Sequence, residues 1–201
     1  MNDRERLATI DRETLESRVH VDLNVDGQGR AEISTGIGFY DHMLSAFARH
    51  GRFDLNLSCE GDLDVDSHHT MEDVALAVGA AFNEALADRS GITRMGDATV
   101  PLDEALVRAV IDVSGRPYAV TKFNFGSDRI GDAPTEMIPH VIQSFSTGSR
   151  CTVHVSQLSG ANDHHIAEAA MKALGIALDS ATRLDDRIVG VIPSEKGTLT
   201  T

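Results

Sequence analysis

His68-His69-Thr70-Met71-Glu72 and His164-His165-Ile166-Ala167-Glu168 are two copies of one pattern, in which a glutamate lies three residues after a pair of histidines. All matching positions differ by one offset, since 164 − 68, 165 − 69 and 168 − 72 each give 96. Imidazole and carboxylate groups are the usual protein ligands of divalent Mn, Fe, Co, Ni and Zn. One such pair is more often a capping or solvated feature of a helix start, but two copies in register predict two related metal sites in a duplicated chain.

Each copy leads into an alanine-rich stretch that is typical of a helix. Residues four apart lie on the same helix face, so His68 can share a metal with Glu72, and His164 with Glu168. The second histidine of each pair lies about 100° further around the helix and points elsewhere. Each helix start is therefore predicted to serve two metals.

Two further histidines extend the repeat. His42 and His140 are 98 residues apart (140 − 42), and each is followed by a phenylalanine five positions later. Six histidines and two glutamates divide evenly into two sites with open coordination positions, as catalysis requires. One ion is predicted to take His68, Glu72, His140 and His165, and the other His42, His69, His164 and Glu168.

Composition limits the class of protein. The 201 residues carry 18 basic and 31 acidic side chains, and this net charge of −13 argues against binding to nucleic acid or to an anionic membrane. Cys59 and Cys151 are isolated in the sequence, as expected in a reducing compartment. The N-terminus lacks the apolar segment of a signal peptide, and no apolar run is long enough to span a membrane. A cytoplasmic location is therefore expected.

The chain is expected to form a single domain, 1–201, from two repeats at about 5–95 and 96–192, followed by a loop at 193–201. Each repeat should contain strand, strand, helix, strand and helix. Asp26-Gly27-Gln28-Gly29 is expected to turn a hairpin, and strands at 106–113 and 118–125 should flank a second turn at 114–117. The long helix that starts near residue 70 should end with Gly91 as its cap.

Basic residues lie in glycine-containing loops of this acidic chain. Arg94, Arg116 and Lys196 each follow or precede glycine and serine, which together can bind an anion such as phosphate. Each alone is more often a solvated loop cation, and their spacing does not say whether they converge.

Six ordered motifs resemble imidazoleglycerol-phosphate dehydratases, enzymes of histidine biosynthesis, over nearly the whole chain. They are Gly36-Ile37-Gly38-Phe39-Tyr40-Asp41-His42-Met43-Leu44, His68-His69-Thr70-Met71-Glu72-Asp73, Pro101-Leu102-Asp103-Glu104-Ala105-Leu106, Ser114-Gly115-Arg116-Pro117, His164-His165-Ile166-Ala167-Glu168-Ala169 and Ile192-Pro193-Ser194-Glu195-Lys196-Gly197.

The resemblance implies an α+β fold of duplicated half-domains, similar to the second domain of ribosomal protein S5, with helices sandwiched between two β-sheets. It implies two Mn²⁺ ions per subunit, held by the eight ligands that the repeat selects. It also implies a homo-oligomer of about 24 subunits built from trimers.

The resemblance also implies a small phosphorylated imidazole substrate. The residues that would contact it, carried over by motif, lie in both repeats and in the C-terminal loop. These are Glu16, His42, His50, His68, Arg94, Arg116, Ser194 and Lys196. The resemblance also implies a catalytic set, which is Glu16, His69, Glu72, His165 and Glu168. Glu16 is the candidate for proton transfer at the substrate's side chain. The alternative is that Glu16 is a plain surface charge at the start of a strand. Ala46, Ser67 and Glu195 depart from the family's usual residues.

The implied reaction dehydrates D-erythro-imidazole glycerol phosphate to imidazole acetol phosphate through a di-manganese-bound imidazolate and a diazafulvene. Asp103 and Glu104 are candidates for orienting the ligand histidines. Two rival functions stay open on the residues alone: a two-metal hydrolase, and a metal-storage or metal-sensing protein.

Overall fold

A computed structural model describes residues 6–199, which form two four-stranded sheets, four helices and a short two-stranded ribbon. The strands and helices, in chain order, are β1 (Leu7–Glu13), β2 (Ser17–Asn24), β3 (Ala31–Ser34), α1 (Gly38–Gly51), β4 (Asp54–Gly61), α2 (His68–Ala85), β5 (Met95–Leu102), β6 (Ala105–Asp112), β7 (Tyr118–Lys122), β8 (Arg129–Ile130), β9 (Ala133–Pro134), α3 (Met137–Ser149), β10 (Thr152–Ser159) and α4 (Asp163–Thr182). A 3₁₀ turn follows at Asp186–Ile188.

The two sheets have the same topology. The first has the order β1-β2-β4-β3 and the second β5-β6-β10-β7. In each sheet the first three strands pair antiparallel, and the last pairs parallel to its neighbour. The repeating unit is thus three strands, a helix, a strand and a helix. The sequence prediction missed the first strand of each unit, β1 and β5.

The helices lie between the two sheets, which confirms the predicted α+β sandwich. α2 packs on β1 and β2, α4 packs on β5 and β6, and each helix pair across the middle joins the two repeats, α1 with α4 and α2 with α3. Buried and more exposed side chains alternate along the strands, which gives each sheet an apolar inner face. In β2, Val19, Val21 and Leu23 are buried, while the residues between them face outward. None of the helices within 6–199 is long and apolar enough to cross a membrane.

Glycines set the distance between the paired helices. A Cβ atom on Gly79 of α2 would lie 2.6 Å from the Phe145 carbonyl oxygen of α3, and a Cβ on Gly175 of α4 would lie 3.0 Å from the Gly51 nitrogen of α1. Gly79 and Gly175 are 96 residues apart, so the repeat that relates the histidine pairs also relates the helix crossings. The close approach brings the histidines of facing helices together.

The hairpin predicted at 26–29 is wrong. β4 lies between β2 and β3, and these two strands are not neighbours. The loop is instead fixed to the start of β4, because the Asp54 carboxylate accepts hydrogen bonds from the backbone nitrogens of Gln28 (2.8 Å) and Arg30 (3.0 Å). The strands around 114–117 are separated in the same way by β10, and β7 ends at Lys122 rather than near 125.

Helix α2 also ends earlier than predicted. Its last residue is Ala85, and the next residues with positive φ, Ala87 (48°) and Arg89 (62°), turn the chain out of the helix before Gly91. Gly91 instead donates its amide to the Val191 carbonyl oxygen at 2.8 Å, so it anchors the C-terminal segment.

Candidate functional site

The first ligand cluster lies where α1 and α4 begin. The Nε2 atoms of His42 and His164 are 3.2 Å and 3.1 Å from Oε2 of Glu168, so one carboxylate oxygen faces both rings. The start of α4 is fixed by Asn162, whose side chain accepts hydrogen bonds from the amides of His164 (3.0 Å) and His165 (3.3 Å). The histidine pair therefore occupies the first turn of a capped helix.

The second cluster is the counterpart on α2 and α3. The Nε2 atoms of His68 and His140 lie 3.6 Å and 3.5 Å from Oε2 of Glu72. Nε2 of His140 is shielded from solvent and has no hydrogen-bond partner within the described residues. A shielded ring nitrogen without a partner is a position that a metal ion would satisfy.

Both clusters suit a divalent transition metal. In each, one atom from each of two imidazoles and one carboxylate lie within 4.8 Å of one another. This donor set is the one expected for Mn, Fe, Co or Zn. Three of the four ligands predicted for each ion are thus brought together within one chain.

The two clusters differ in their electrostatics. Lys172 places Nζ 2.7 Å from Glu168, whereas the matching position 96 residues earlier is Leu76. Burial of Glu168 opposes its charge, but hydrogen bonds from Lys172 and His42 outweigh it and lower the pKa of Glu168 to about 2. Glu72 has no such lysine four residues on and is more exposed, 37% against 15% for Glu168.

The second histidine of each pair turns away from its own cluster. Nδ1 of His69 lies 3.0 Å from Asp62, and Nδ1 of His165 lies 2.8 Å from Glu104. These hydrogen bonds raise the pKa of His69 and of His165. A neutral ring with its proton on Nδ1 has its free lone pair on Nε2, so each outward ring offers one further donor atom.

Acidic oxygens lie near these outward nitrogens. Glu16 is 3.7 Å from Nε2 of His69, and Asp103 is 3.9 Å from Nε2 of His165. Glu104 thus has the orienting contact that the sequence suggested. Asp62 was not predicted, because nothing in the spacing distinguishes it from its acidic neighbours in 60–66.

Two of the three loop cations, Arg94 and Arg116, converge on one carboxylate. Arg94 donates from Nε to Asp112 at 2.8 Å and from Nη1 to the Pro193 carbonyl oxygen at 2.8 Å. Arg116 lies 3.8 Å from the same Asp112, and Lys196 sits in the loop that begins at Pro193. One carboxylate therefore holds two guanidinium groups beside the C-terminal loop.

Arg94 and the cluster of His42, His164 and Glu168 lie at opposite ends of α4. The amide of Arg94 donates to the Ala181 carbonyl oxygen, near the end of α4, whereas His164 is at its beginning. Seventeen residues of helix separate His164 from Ala181 (181 − 164), about 25 Å at 1.5 Å per residue. A small molecule cannot contact both Arg94 and His164 within one chain.

His50 is exposed at the end of α1. The side of the His50 ring that packs on the protein is partly desolvated, which lowers the pKa of His50, and the nearby charge of Lys172 lowers it further. His50 therefore belongs to the surroundings of the Glu168 cluster rather than to the cation group.

The insertion between β7 and α3 braces the first cluster. The Asp132 carboxylate accepts hydrogen bonds from the amides of Gly38 (2.6 Å) and Phe39 (2.9 Å) at the start of α1. Asp163 accepts from the amide of Ser127 at 2.8 Å in the same insertion. These contacts join residues distant in the sequence, so local pattern could not predict them.

Comparisons with known proteins identify the family. The family model for imidazoleglycerol-phosphate dehydratase matches residues 35–178. The imidazoleglycerol-phosphate dehydratase of Thermobifida fusca is 54% identical over 196 residues, 96% of this chain and 99% of that protein, and the one of Roseiflexus is 50% identical over 194 residues, 96% and 98% of the two chains.

Solved structures of the same family are also similar to this chain. The Pyrococcus furiosus enzyme in complex with (S)-C348 superposes with a TM-score of 0.82 at 36% identity, covering 94% of this chain and 100% of that one. The Staphylococcus aureus enzyme superposes with a TM-score of 0.81 at 31% identity, covering 89% and 99%. The chain therefore belongs to the imidazoleglycerol-phosphate dehydratase family and is a hydro-lyase of histidine biosynthesis.

Proposed function

We propose that this chain dehydrates D-erythro-imidazole glycerol phosphate to imidazole acetol phosphate with two Mn²⁺ ions per subunit. The observation that carries the metal part is the pair of His-His-Glu clusters, one of which contains the shielded, unpartnered Nε2 of His140. We also propose a cytoplasmic location, supported by two buried, unpaired cysteines. The net charge of −13 favours a small-molecule substrate over nucleic acid or membrane.

The ligands proposed for the two ions are the three residues of each cluster plus one outward histidine of another subunit. They are His68, Glu72 and His140 with His165, and His42, His164 and Glu168 with His69. A divalent ion there would supply the Lewis acidity that favours loss of a proton from the substrate's imidazole ring.

The protein's own carboxylates hold and move protons in this scheme. Glu104 and Asp62 accept hydrogen bonds from Nδ1 of His165 and His69, and so select the neutral tautomer whose free lone pair is on Nε2. Glu16, 3.7 Å from Nε2 of His69, is our candidate for accepting or donating a proton at the substrate's glycerol side chain.

The cation group is proposed to bind the substrate's phosphate. Arg94 and Arg116 supply guanidinium donors, which Asp112 holds in place, and Ser194 and Lys196 supply a hydroxyl and an ammonium group. Because the cations lie about 25 Å from His164 along α4, the phosphate and imidazole of one substrate must meet residues of different subunits. We propose a shell of about 24 subunits built from trimers.

The deciding experiment incubates the purified protein and imidazole glycerol phosphate with Mn²⁺ and identifies the product by mass spectrometry. We expect loss of one water, two ions per chain by metal analysis, and no activity after chelation. A two-metal hydrolase would release inorganic phosphate or an amine. A metal-storage protein would bind the ions without converting the substrate.

The phosphate contacts can be tested separately. Arg94→Ala, Arg116→Ala and Lys196→Ala should each weaken substrate binding by about 1.5–3 kcal/mol, because each removes a charge-assisted contact. Metal content should not change. Arg183→Ala, which removes an exposed arginine paired with Asp179, is the control. Normal substrate affinity in the triple variant would contradict the phosphate assignment.

A further inference from the structure

Arg89 is a fully buried arginine with unusual partners. Its side chain is 0% exposed, and its backbone has φ of 62°. The guanidinium donates to the side-chain oxygen of Asn83 on α2 (2.8 Å), to the Ser149 carbonyl oxygen at the end of α3 (3.2 Å), and to the Leu199 carbonyl oxygen. It therefore joins two helix ends to the C-terminal segment.

Burial of this charge is unfavourable by itself. The three acceptors are neutral, burial lowers the pKa of Arg89, and its Nε has no hydrogen-bond partner within 6–199. An apolar side chain of similar length would fill the same space without this desolvation penalty. An apolar side chain could not, however, bind any of the three acceptors, and the Leu199 carbonyl oxygen is the one that lies outside the helices.

The C-terminal loop is held at both ends by arginines. Arg94 binds the Pro193 carbonyl oxygen at 2.8 Å, and Arg89 binds that of Leu199, whose side chain is 2% exposed. Gly115, next to Arg116, leaves room for this arrangement, because a Cβ there would collide with the Leu199 carbonyl group and lie 2.8 Å from Nη1 of Arg89. Between the two anchors, residues 195–197 are exposed.

We propose that Arg89 is a positioning residue that anchors the C-terminal loop, so that Ser194 and Lys196 stand beside Arg94 and Arg116. This inference rests on the proposed phosphate site. Arg89 acts from the interior and touches no substrate. Its removal should release one end of the loop while the metal ligands, which lie at the other ends of α2 and α3, stay in place.

Loop release can be measured without substrate. The chain has three lysines: Lys122 lies in a strand, Lys172 in the middle of α4 with its side chain 16% exposed, and Lys196 in the exposed loop. Limited digestion of the Mn²⁺-loaded oligomer with a lysine-specific protease should therefore report loop opening as cleavage after Lys196. We expect Arg89→Met to accelerate this cleavage at least about tenfold, and the control Arg183→Met to leave it unchanged.

Kinetics on the same samples test the positioning role. Arg89→Met should raise the KM for imidazole glycerol phosphate at least about tenfold with a much smaller change in kcat, while the metal content stays constant. If Arg89→Met does not fold, Arg89→Lys replaces it, since lysine keeps the charge but cannot reach three separate acceptors. Arg89→Lys should also accelerate cleavage and raise KM.

Wild-type cleavage rates in the folded variant would overturn the anchoring role. Faster cleavage with an unchanged KM would overturn the positioning role. In that case Arg94→Ala separates the two ideas: if it also leaves KM unchanged, the proposed phosphate site has failed, and if it raises KM, only the inference about Arg89 has failed.

Discussion

The two histidines of each pair have different surroundings: the first faces the glutamate of its own cluster, and the second faces outward. His164 faces Glu168 within its own cluster, whereas His165 is rotated outward and held by Glu104. The 96-residue repeat predicted which residues form the clusters, because ligand type and helical spacing are local features. It did not predict the supporting carboxylates. Glu104 lies in a turn before β6 and Asp62 follows β4, so the two repeats orient equivalent histidines from different places in the fold.

Replacing Glu104 with glutamine should reverse the proton arrangement on His165. The amide oxygen can still accept from the amides of Ala161 and Asn162, as Oε1 does now. The amide nitrogen, however, would donate to Nδ1 of His165 and force its proton onto Nε2. We expect metal affinity to fall about 10–100-fold in a competition titration with a chromogenic chelator. Asp103→Asn, which leaves Nδ1 untouched, is the control, and equal affinities in the two variants would contradict this prediction.

His20 predicts a pH-dependent stability unrelated to metal binding. On the outer face of the first sheet, its two ring nitrogens contact Asp11 (2.7 Å) and Asp22 (3.1 Å), and these hydrogen bonds raise the pKa of His20. A raised folded-state pKa means that the stabilisation is fully present below the unfolded value of about 6.5 and is lost as pH rises through the folded value. The free energy of unfolding lost in His20→Gln should therefore be larger at pH 6 than at pH 9.

Urea denaturation of the metal-free protein at fixed concentration measures this difference. The control repeats His20→Gln in an Asp11→Asn background, where the first of the two carboxylate partners is missing and much of the pH dependence should disappear. A loss that is the same at both pH values would contradict the assignment of the stabilisation to the protonated ring.

At the scale of elements, the helices were predicted better than the strand order. α2 and α4 begin at or next to the histidine pairs that the sequence placed at helix starts, because that motif and its helical spacing are local. The prediction of a hairpin at 26–29 was wrong because Asp26-Gly27 favours a turn but does not determine which strand pairs with β2. What decides the neighbour is β4, whose Asp54 binds the loop. The sequence did not predict the helix crossings either, because the role of Gly79 and Gly175 depends on the backbone of the helix that faces each of them.

Gly175→Ala should destabilise the fold although alanine favours helices. The gain in helix propensity is about 1 kcal/mol. A Cβ would lie 3.0 Å from the Gly51 nitrogen and closer still to the Phe47 carbonyl oxygen, and backbone atoms cannot rotate away. Overpacking of this kind costs about 1–3 kcal/mol or more, so we expect a net loss and a lower Tm. Widening the gap between α1 and α4 should also weaken metal binding at the His42 cluster.

Gly126→Ala is the matched control for that substitution. A Cβ at Gly126 meets nothing within 4 Å, and the amide that binds Asp163 is retained. Its Tm should stay the same or rise slightly, because alanine reduces the freedom of the unfolded chain. If both variants melted at the wild-type temperature by calorimetry, close helix contact at Gly175 would not be a constraint.

At the scale of the whole molecule, one chain holds every proposed group but cannot assemble them. Arg94 and the cluster of His42, His164 and Glu168 lie at opposite ends of α4, about 25 Å apart. The outward His69 and His165 are oriented by carboxylates, yet neither joins a ligand cluster among the described residues. Sequence patterns indicate which residues act, but they do not show this distance, because it depends on how the two repeats pack. The subunit association proposed above would account for both observations, because it would bring groups from different chains together.

Metal binding and assembly should therefore be coupled. If His69 and His165 complete sites on neighbouring subunits, each bound ion contributes free energy to association. Removing Mn²⁺ by chelation should dissociate the shell into smaller species such as trimers, and restoring Mn²⁺ should rebuild it, as followed by sedimentation velocity and light scattering. His69→Ala and His165→Ala should resemble the metal-free state even with Mn²⁺ present. His154→Ala, which replaces a histidine on β10 outside both clusters, should assemble normally. A particle of unchanged size with and without metal would contradict the coupling, while the membership of the family would stand.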